Sequence, residues 1–438
     1  MTDRYPPGPR LPRVVQALLH TKWHAWFMTT QARKFGDVFT LRLVPPMPEH
    51  VVVFSRPEHI REIFAADPAD LHAGEGNRSL EAIMGEHSLL LTDEAEHARA
   101  RRLLMPAFTG SALAGYRALV EAIAEAHVDT WAPGSTVTTL DRMEDLTLEV
   151  IMQVVFGVTD ERGRAELMPL LRRILDINPV VFLGFKWPRL QRFGLWKRFQ
   201  QDKVALDSVL YAEIARRRAQ PEQDRRTDVL SRLLAVGSGD EPLTDAELRD
   251  QLVTLLLAGH ETTASALSWA LHEMAAAPAV QERARQAAHD GDDRYLEAVL
   301  KEAMRRRTVI GGVPRQLTRD MTIGGIPLPR GTVVHTSIVL AHQDLVNHAE
   351  PERFRPERFL DGSLAPNTWL PFGGGVRRCI GASLSLMEGT VVLREVLSRY
   401  RFTAAQGERG RIRNITNVPA HGARMVITAA AAPATAAR

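Results

Sequence analysis

The chain has 438 residues and one cysteine, Cys379, which lies in the segment PFGGGVRRCIGASLSLMEGTVVLREVL. Gly373, Gly374 and Gly375 let the backbone turn tightly enough to pass beneath a flat ligand, and the apolar spacing after Gly381 predicts a long amphipathic helix. A thiol at such a turn can accept backbone N–H bonds and sits near a helix N-terminus, two effects that favour its thiolate form. A lone cysteine is more often an inert, buried apolar group; these neighbours argue instead for a ligand. A single cysteine also excludes any intrachain disulfide, which fits a reducing compartment.

An apolar content of 45% is enough to bury a large core. Helical spacing predominates, over 14–35, 57–71, 94–108, 116–131, 140–156 and a long stretch opened by a Thr244/Glu247 capping pattern. FTLRL, HVVVF, TIGG, PLPRGTVVH and 416–428 read as short strands and turns. The fold class expected is mainly α with a smaller β region. With no repeat and no convincing linker, the chain reads as one domain over 1–438, with a proline-rich lead-in at 1–12, a polar solvent loop at 219–242 and a disordered tail at 429–438. Phe182, Phe185, Trp187, Phe193 and Trp196 mark an aromatic segment that is a buried turn, a lid or a lipid-touching surface. The net charge of +3, from 55 Lys and Arg against 52 Asp and Glu, is too small to imply nucleic acid. No secretory leader and no apolar run of about 18 residues is found, so a cytoplasmic location without a transmembrane anchor is expected.

A second candidate site lies in LVTLLLAGHETTASALSWAL, where Gly259, Glu261, Thr262 and Thr263 interrupt an apolar helix. Ala258 and Thr262 are one turn apart, so the Thr262 hydroxyl can bond back to the Ala258 carbonyl, loosening the helix and admitting water. Gly259 would let a ligand approach the backbone. The plain alternative is a packing threonine and an exposed glutamate. Glu302 and Arg305 read on sequence alone as a solvated i,i+3 pair, and His97 and Arg101 in EHARARR as surface charge at i,i+4.

Phe372, Gly375, Arg377, Cys379 and Gly381 match the spacing F-x-x-G-x-R-x-C-x-G. AGHETT, the E-x-x-R of Glu302 and Arg305, and PERF at 356–359 precede it in order, and in this the chain resembles the cytochrome P450 family. An earlier PERF at 351–354 lacks the F-x-P-x-R-F context.

The resemblance implies a single helix-rich triangular domain holding haem b, with Cys379 as the iron ligand, Phe372 packed near the ligand loop, and Ala258 and Gly259 crossing the haem. It implies propionate contacts from Arg377, His97, Arg101 and Arg315. Thr262 would hold activated oxygen and Glu261 would relay protons. Glu302, Arg305 and Arg358 would form a buried brace for the cysteine loop.

The implied reaction inserts one atom of dioxygen into an apolar small molecule. Its electrons come from NAD(P)H through a separate ferredoxin or flavodoxin and its reductase, docking near Arg378, Arg99 and Arg102. A monomer is expected. Alternatives are a haem-thiolate isomerase, dehydratase or peroxygenase, or a haem sensor, for which the acid–alcohol pair has no use. Thr308 and Val309 stand where many relatives have two prolines, which puts pocket shape in question there.

Overall fold

The computed structural model describes residues 5–45, 47–157, 161–175, 189, 192–219, 227–235, 242–362 and 364–430. The helical spacing becomes a stack of long helices. Thr139–Phe156 runs along Asp245–Ala275, and Ala382–Arg399, the helix after the cysteine, packs on Gly110–Val128 and Asp293–Arg306. Leu146, Val150, Val154, Leu252, Leu256, Leu267, Leu300 and Val392 lie fully inside the shared core, each contributing roughly 1.5–3 kcal/mol by leaving water. Asp245–Ala275 begins where the sequence predicts: Thr244 Oγ1 accepts from the Glu247 N–H at 3.2 Å and the Glu247 carboxylate accepts from the Thr244 N–H at 2.7 Å.

The strands lie mostly near the two ends of the chain. β1 (Val38–Arg42), β2 (His50–Phe54), β3 (Leu71–His72), β5 (Gly312–Leu317) and β8 (Val333–Ser337) make one sheet in the order β1-β2-β8-β5-β3. Its centre is the parallel pair β2–β8, with Val51 opposite Val333, and the other pairs are antiparallel. Both central strands are almost wholly buried, as their continuous valine runs require. β4 (Thr136–Thr138), β12 (Arg424–Ala429) and β9 (Tyr400–Ala404) form a second sheet, β6 (Met321–Ile323) pairs with β7 (Ile326–Leu328), and β10 (Gly410–Arg413) pairs with β11 (Thr416–Pro419).

Four stretches differ from the sequence expectation. The helix expected over 14–35 breaks at Trp23, which leaves the helical region (φ −129°, ψ 44°), giving α1 (Arg13–Lys22) and α2 (His24–Phe35). The helix expected over 57–71 stops as α3 (Pro57–Ala65), because Ala66 is extended, and Leu71 joins β3. Within the supposed solvent loop Val229–Leu234 is helical. Asp228 caps it by accepting from the Ser231 N–H at 2.9 Å and pairs with the buried Arg217 at 3.2 Å, so the charges there serve the interior rather than solvent. The tail is ordered at its start, since Ala429 pairs with Tyr400 and the Ala430 N–H donates to the Arg399 carbonyl at 2.8 Å; 431–438 lie outside the described residues. So does most of the aromatic segment, 176–188 and 190–191. Of its described members Phe193 is exposed and Trp196 packs on the core.

Several histidines are buried away from acids. His335 on β8 meets His20 and His24 edge-on at 6.2 and 6.3 Å between ring centres. Burial depresses His335 and His260 to about 3, and also lowers His20 and His342 well below the usual histidine value. Below pH about 6.5 the unfolded chain binds protons that the folded chain refuses. Stability therefore falls as pH drops from about 6.5 towards 3, by about 1.4 kcal/mol per pH unit for each histidine. Glu388, buried without a counter-charge and pushed up to about 8, acts in the opposite sense over its own window; one such carboxyl is outweighed by four histidines. Urea unfolding is expected to show lower stability at pH 5 than at pH 7, by on the order of 2 kcal/mol for each of His260 and His335 before the Glu388 offset. Equal stability at the two pH values would contradict the buried neutral histidines.

Candidate functional site

The cysteine loop is shaped by a few contacts. The Gly373 N–H donates to the Leu370 carbonyl at 3.0 Å, the Arg378 N–H to Gly375 at 3.1 Å and the Cys379 N–H to Phe372 at 2.9 Å. Gly375 has φ +62°, and a Cβ there would come within 2.2 Å of the Phe64 carbonyl oxygen on α3, so no side chain fits. Phe372 packs edge-on against Trp369, 5.9 Å between ring centres.

Cys379 is accessible although burial pushes its thiol up. The residue keeps accessible surface while its thiol is crowded by surrounding protein atoms. The Gly381 N–H, Arg378 and Arg101 pull the pKa down, as the turn predicted, but burial outweighs them. The chain's own groups therefore do not suffice to ionise the thiol; a bound cation would.

Arg377, from the same loop, turns inward. Its guanidinium donates to the Leu89 carbonyl at 3.0 Å, to the Thr92 carbonyl and to Asp93. Asp93, which the sequence reading passed over, also accepts from the N–H groups of Ala73 and Gly74 at 2.9 and 3.0 Å. It stands at the N-cap position of the Glu94–Leu104 helix but spends its carboxylate on these distant partners rather than on a cap bond, so nothing local announces its role as the acid opposite Arg377.

His97, Arg101 and Arg315 gather around the same point. Burial, then Arg377 and Arg101, lower His97 to about 4, leaving a neutral imidazole. Arg315 is buried, donates to the Pro314 carbonyl at 2.7 Å and is lowered to about 10 by burial and Arg377. Arg377, Arg315 and His97 thus share the field of one carboxylate, Asp93, while Arg101 adds a further positive charge beside Arg377 and Cys379.

On the Asp245–Ala275 helix, flanked by buried residues, Ala258 is exposed and Thr262 partly so. The Thr262 hydroxyl donates to the Ala258 carbonyl at 2.7 Å. Thr263 Oγ1 meets Ser385 Oγ at 3.2 Å, tying this stretch to the helix that follows Cys379.

Two neighbours differ from expectation. The space beside Gly259 belongs to Ile151, whose Cδ1 would lie 2.7 Å from a Cβ, so the glycine allows two helices to approach rather than a ligand. Glu261 is buried and held by Arg413 Nε at 2.6 Å and by Asn414 at 3.4 Å, with Arg413 also on Glu144. A relay through Glu261 must work from within that pairing.

Glu302, Arg305 and Arg358 come together out of water. Arg305 makes two bonds to the Glu302 carboxylate at 2.7 and 2.9 Å and reaches the carbonyls of His342 and Pro351 at 2.9 and 2.8 Å; Arg358 Nε lies 3.0 Å from Glu302. Thr308 meets His342 Nδ1 at 3.1 Å, and His342 Nε2 accepts the Leu370 N–H at 2.8 Å, two residues before Phe372. The residue that departs from the proline pair therefore helps hold the cysteine loop. Arg99, expected free for a partner, is paired with Glu247 at 2.6 Å.

These residues fit a flat group carrying a metal and two carboxylates: an accessible thiol, a cluster of excess donors with buried Arg315 among them, and an uncovered stripe at Ala258 and Thr262.

The comparisons agree. The Cytochrome P450 family model matches residues 6–422. Two Mycobacterium tuberculosis proteins, named "Putative cytochrome P450 135A1" and "Putative cytochrome P450 135B1", are 56% and 41% identical. Each alignment spans 97% of this chain, with 95% and 91% of theirs. A retinoic-acid-bound cyanobacterial CYP120A1 superposes with a TM-score of 0.85 at 25% identity, over 97% of this chain and 99% of its own. The chain belongs to the cytochrome P450 family of haem-b-binding, haem-thiolate monooxygenases.

Proposed function

We propose that this chain, acting as a single domain and a monomer in the cytoplasm, hydroxylates or epoxidises an apolar small molecule. Electrons come from NAD(P)H through a separate ferredoxin or flavodoxin and its reductase. The observation that carries the reading is the uncovered Ala258–Thr262 stripe tied, through Thr263 and Ser385, to the helix that starts beside Cys379. Cys379 would ligate the iron, and Arg377, His97, Arg101 and Arg315 would hold the propionates. Bound haem supplies the activation of dioxygen and its insertion into substrate.

The chain's own residues supply position and protons. The Thr262 hydroxyl donates its hydrogen to the Ala258 carbonyl, so toward a further partner its oxygen acts as an acceptor. Glu261, with one oxygen on Arg413 and the other held only by the longer Asn414 contact, would take its part in proton delivery through that less tightly held oxygen. Glu302, Arg305 and Arg358 brace the loop from behind. The retinoic acid bound to the structural neighbour, a mostly apolar molecule, supports an apolar substrate here.

The Thr262→Ala variant is expected to keep haem and substrate affinity while reducing equivalents drain to hydrogen peroxide. Product per NADPH consumed, read with surrogate redox partners, should drop by about tenfold, less than the roughly 10²–10⁴-fold of a positioned general acid or base, because water still delivers protons. An unchanged yield would remove Thr262 from the reaction, and product formed without any dioxygen uptake would favour the isomerase or dehydratase alternative.

Arg378 is exposed on the cysteine loop, where an acidic electron donor would approach the thiolate side. Arg378→Glu should slow reduction by an acidic ferredoxin at low salt, and the difference should close as salt screens charges beyond about 8 Å. Identical reduction rates at low salt would place the partner elsewhere.

A further inference from the structure

The first helix is inverted. On α1, Gln16 and Ala17 are buried, Gln16 donating to the Pro9 and Leu11 carbonyls at 3.1 and 2.8 Å and accepting from the Arg42 N–H at 2.9 Å. Val14 and Leu18, one turn apart, are 66% and 48% exposed, with Leu11 and Val15 also outward. Trp23 and Trp26, at the break and on α2, are 51% and 59% exposed. Isolated exposed apolar residues are ordinary, but six large ones within sixteen residues form a concentration that marks contact with another apolar phase.

Charge identifies that phase. Between Asp3 and Asp37 the chain has Arg4, Arg10, Arg13, Lys22, Arg33 and Lys34 and no acidic residue. A cleft of about 240 Å3 opens beside Trp23 and Trp26, walled in part by Lys22, Arg306 and Arg307. The two arginines share one carboxylate, Glu273, at 2.6 and 2.5 Å, which leaves a net positive charge. Tryptophan places an apolar ring and a polar N–H at the boundary between acyl chains and headgroups. A second copy of the chain would bring the same cations against these, which disfavours self-pairing.

We propose that α1, α2 and the adjoining cleft dock the protein on the surface of an anionic bilayer, with Leu18, Trp23 and Trp26 entering the interface and Lys22 with the cleft arginines meeting lipid phosphates. The apolar area and the basic charge act together, as peripheral binding requires; among the described residues no single helix is long and apolar enough to cross a membrane. The proposal is independent of the chemistry assigned to Cys379.

The test is co-sedimentation of the holoprotein with vesicles of phosphatidylcholine containing phosphatidylglycerol, and with phosphatidylcholine alone. Binding is expected to the anionic vesicles, with a blue shift of tryptophan emission, and should weaken as salt rises. The double variant Leu18→Glu/Trp26→Glu, with an unaltered haem spectrum as the check on folding, should partition at least about tenfold less. Lys22→Glu, which leaves the apolar face intact, should weaken binding at low salt and much less at high salt. Wild-type protein left in the supernatant with anionic vesicles at low salt would overturn the proposal, as would a double variant that binds like wild type. A wild-type dimer that the double variant dissociates, without vesicle binding, would show the face to be a contact between copies and would equally overturn it.

Discussion

The guanidinium of Arg377 lies largely out of water, where an unmatched cation is costly. Asp93 and the carbonyls of Leu89 and Thr92 match it, and the geometry around Cys379 depends on that match. Arg377 stands two residues before the cysteine, so fixing its side chain to segment 89–93 fixes one limb of the loop. Asp93 in turn holds the Ala73 and Gly74 N–H groups. Three stretches distant in sequence thus meet on one charge pair, and the surplus positive charge of Arg101 and Arg315 beside it is what a dianionic cofactor edge would neutralise.

The other limb is held from behind. Glu302 is bonded by Arg305, approached by Arg358 and bonded by the Arg355 N–H at 2.9 Å, all without solvent. A buried ion cluster is weak as a source of net stability, because desolvation offsets most of the attraction, but it is directional and tolerates few alternative arrangements. Together with the chain from Thr308 through His342 to Leu370, it places the backbone that enters the cysteine turn. The loop is therefore braced on both sides by polar contacts rather than by apolar packing alone.

Much of this was legible in the sequence where a residue's role is local. The Thr244 capping box, the return bond of Thr262 to Ala258 and the tight turn at Gly375 each follow from spacing, and each appears in the structure. What was not legible depends on contacts across the chain. Gly259 looked open to a ligand because Ile151, more than a hundred residues earlier, leaves no trace in the local pattern. Asp228, within the stretch read as a solvent loop, pairs with buried Arg217, and that burial is set by tertiary packing. Asp93 was hidden for the same reason, and so was Arg413, whose hold on Glu261 comes from a hairpin more than 150 residues away. The broken helix at Trp23 has no proline or glycine to announce it.

The central claim is that Cys379, set by this double brace, is the thiolate bound to iron. It is tested most directly by the absorption spectrum of the reduced holoprotein under carbon monoxide, compared with that of Cys379→His. The account predicts the strongly red-shifted Soret band of thiolate ligation in the wild type and its absence in the variant, because imidazole donates less electron density to the iron. The same band in Cys379→His, or its absence from correctly folded, haem-loaded wild type, would contradict it.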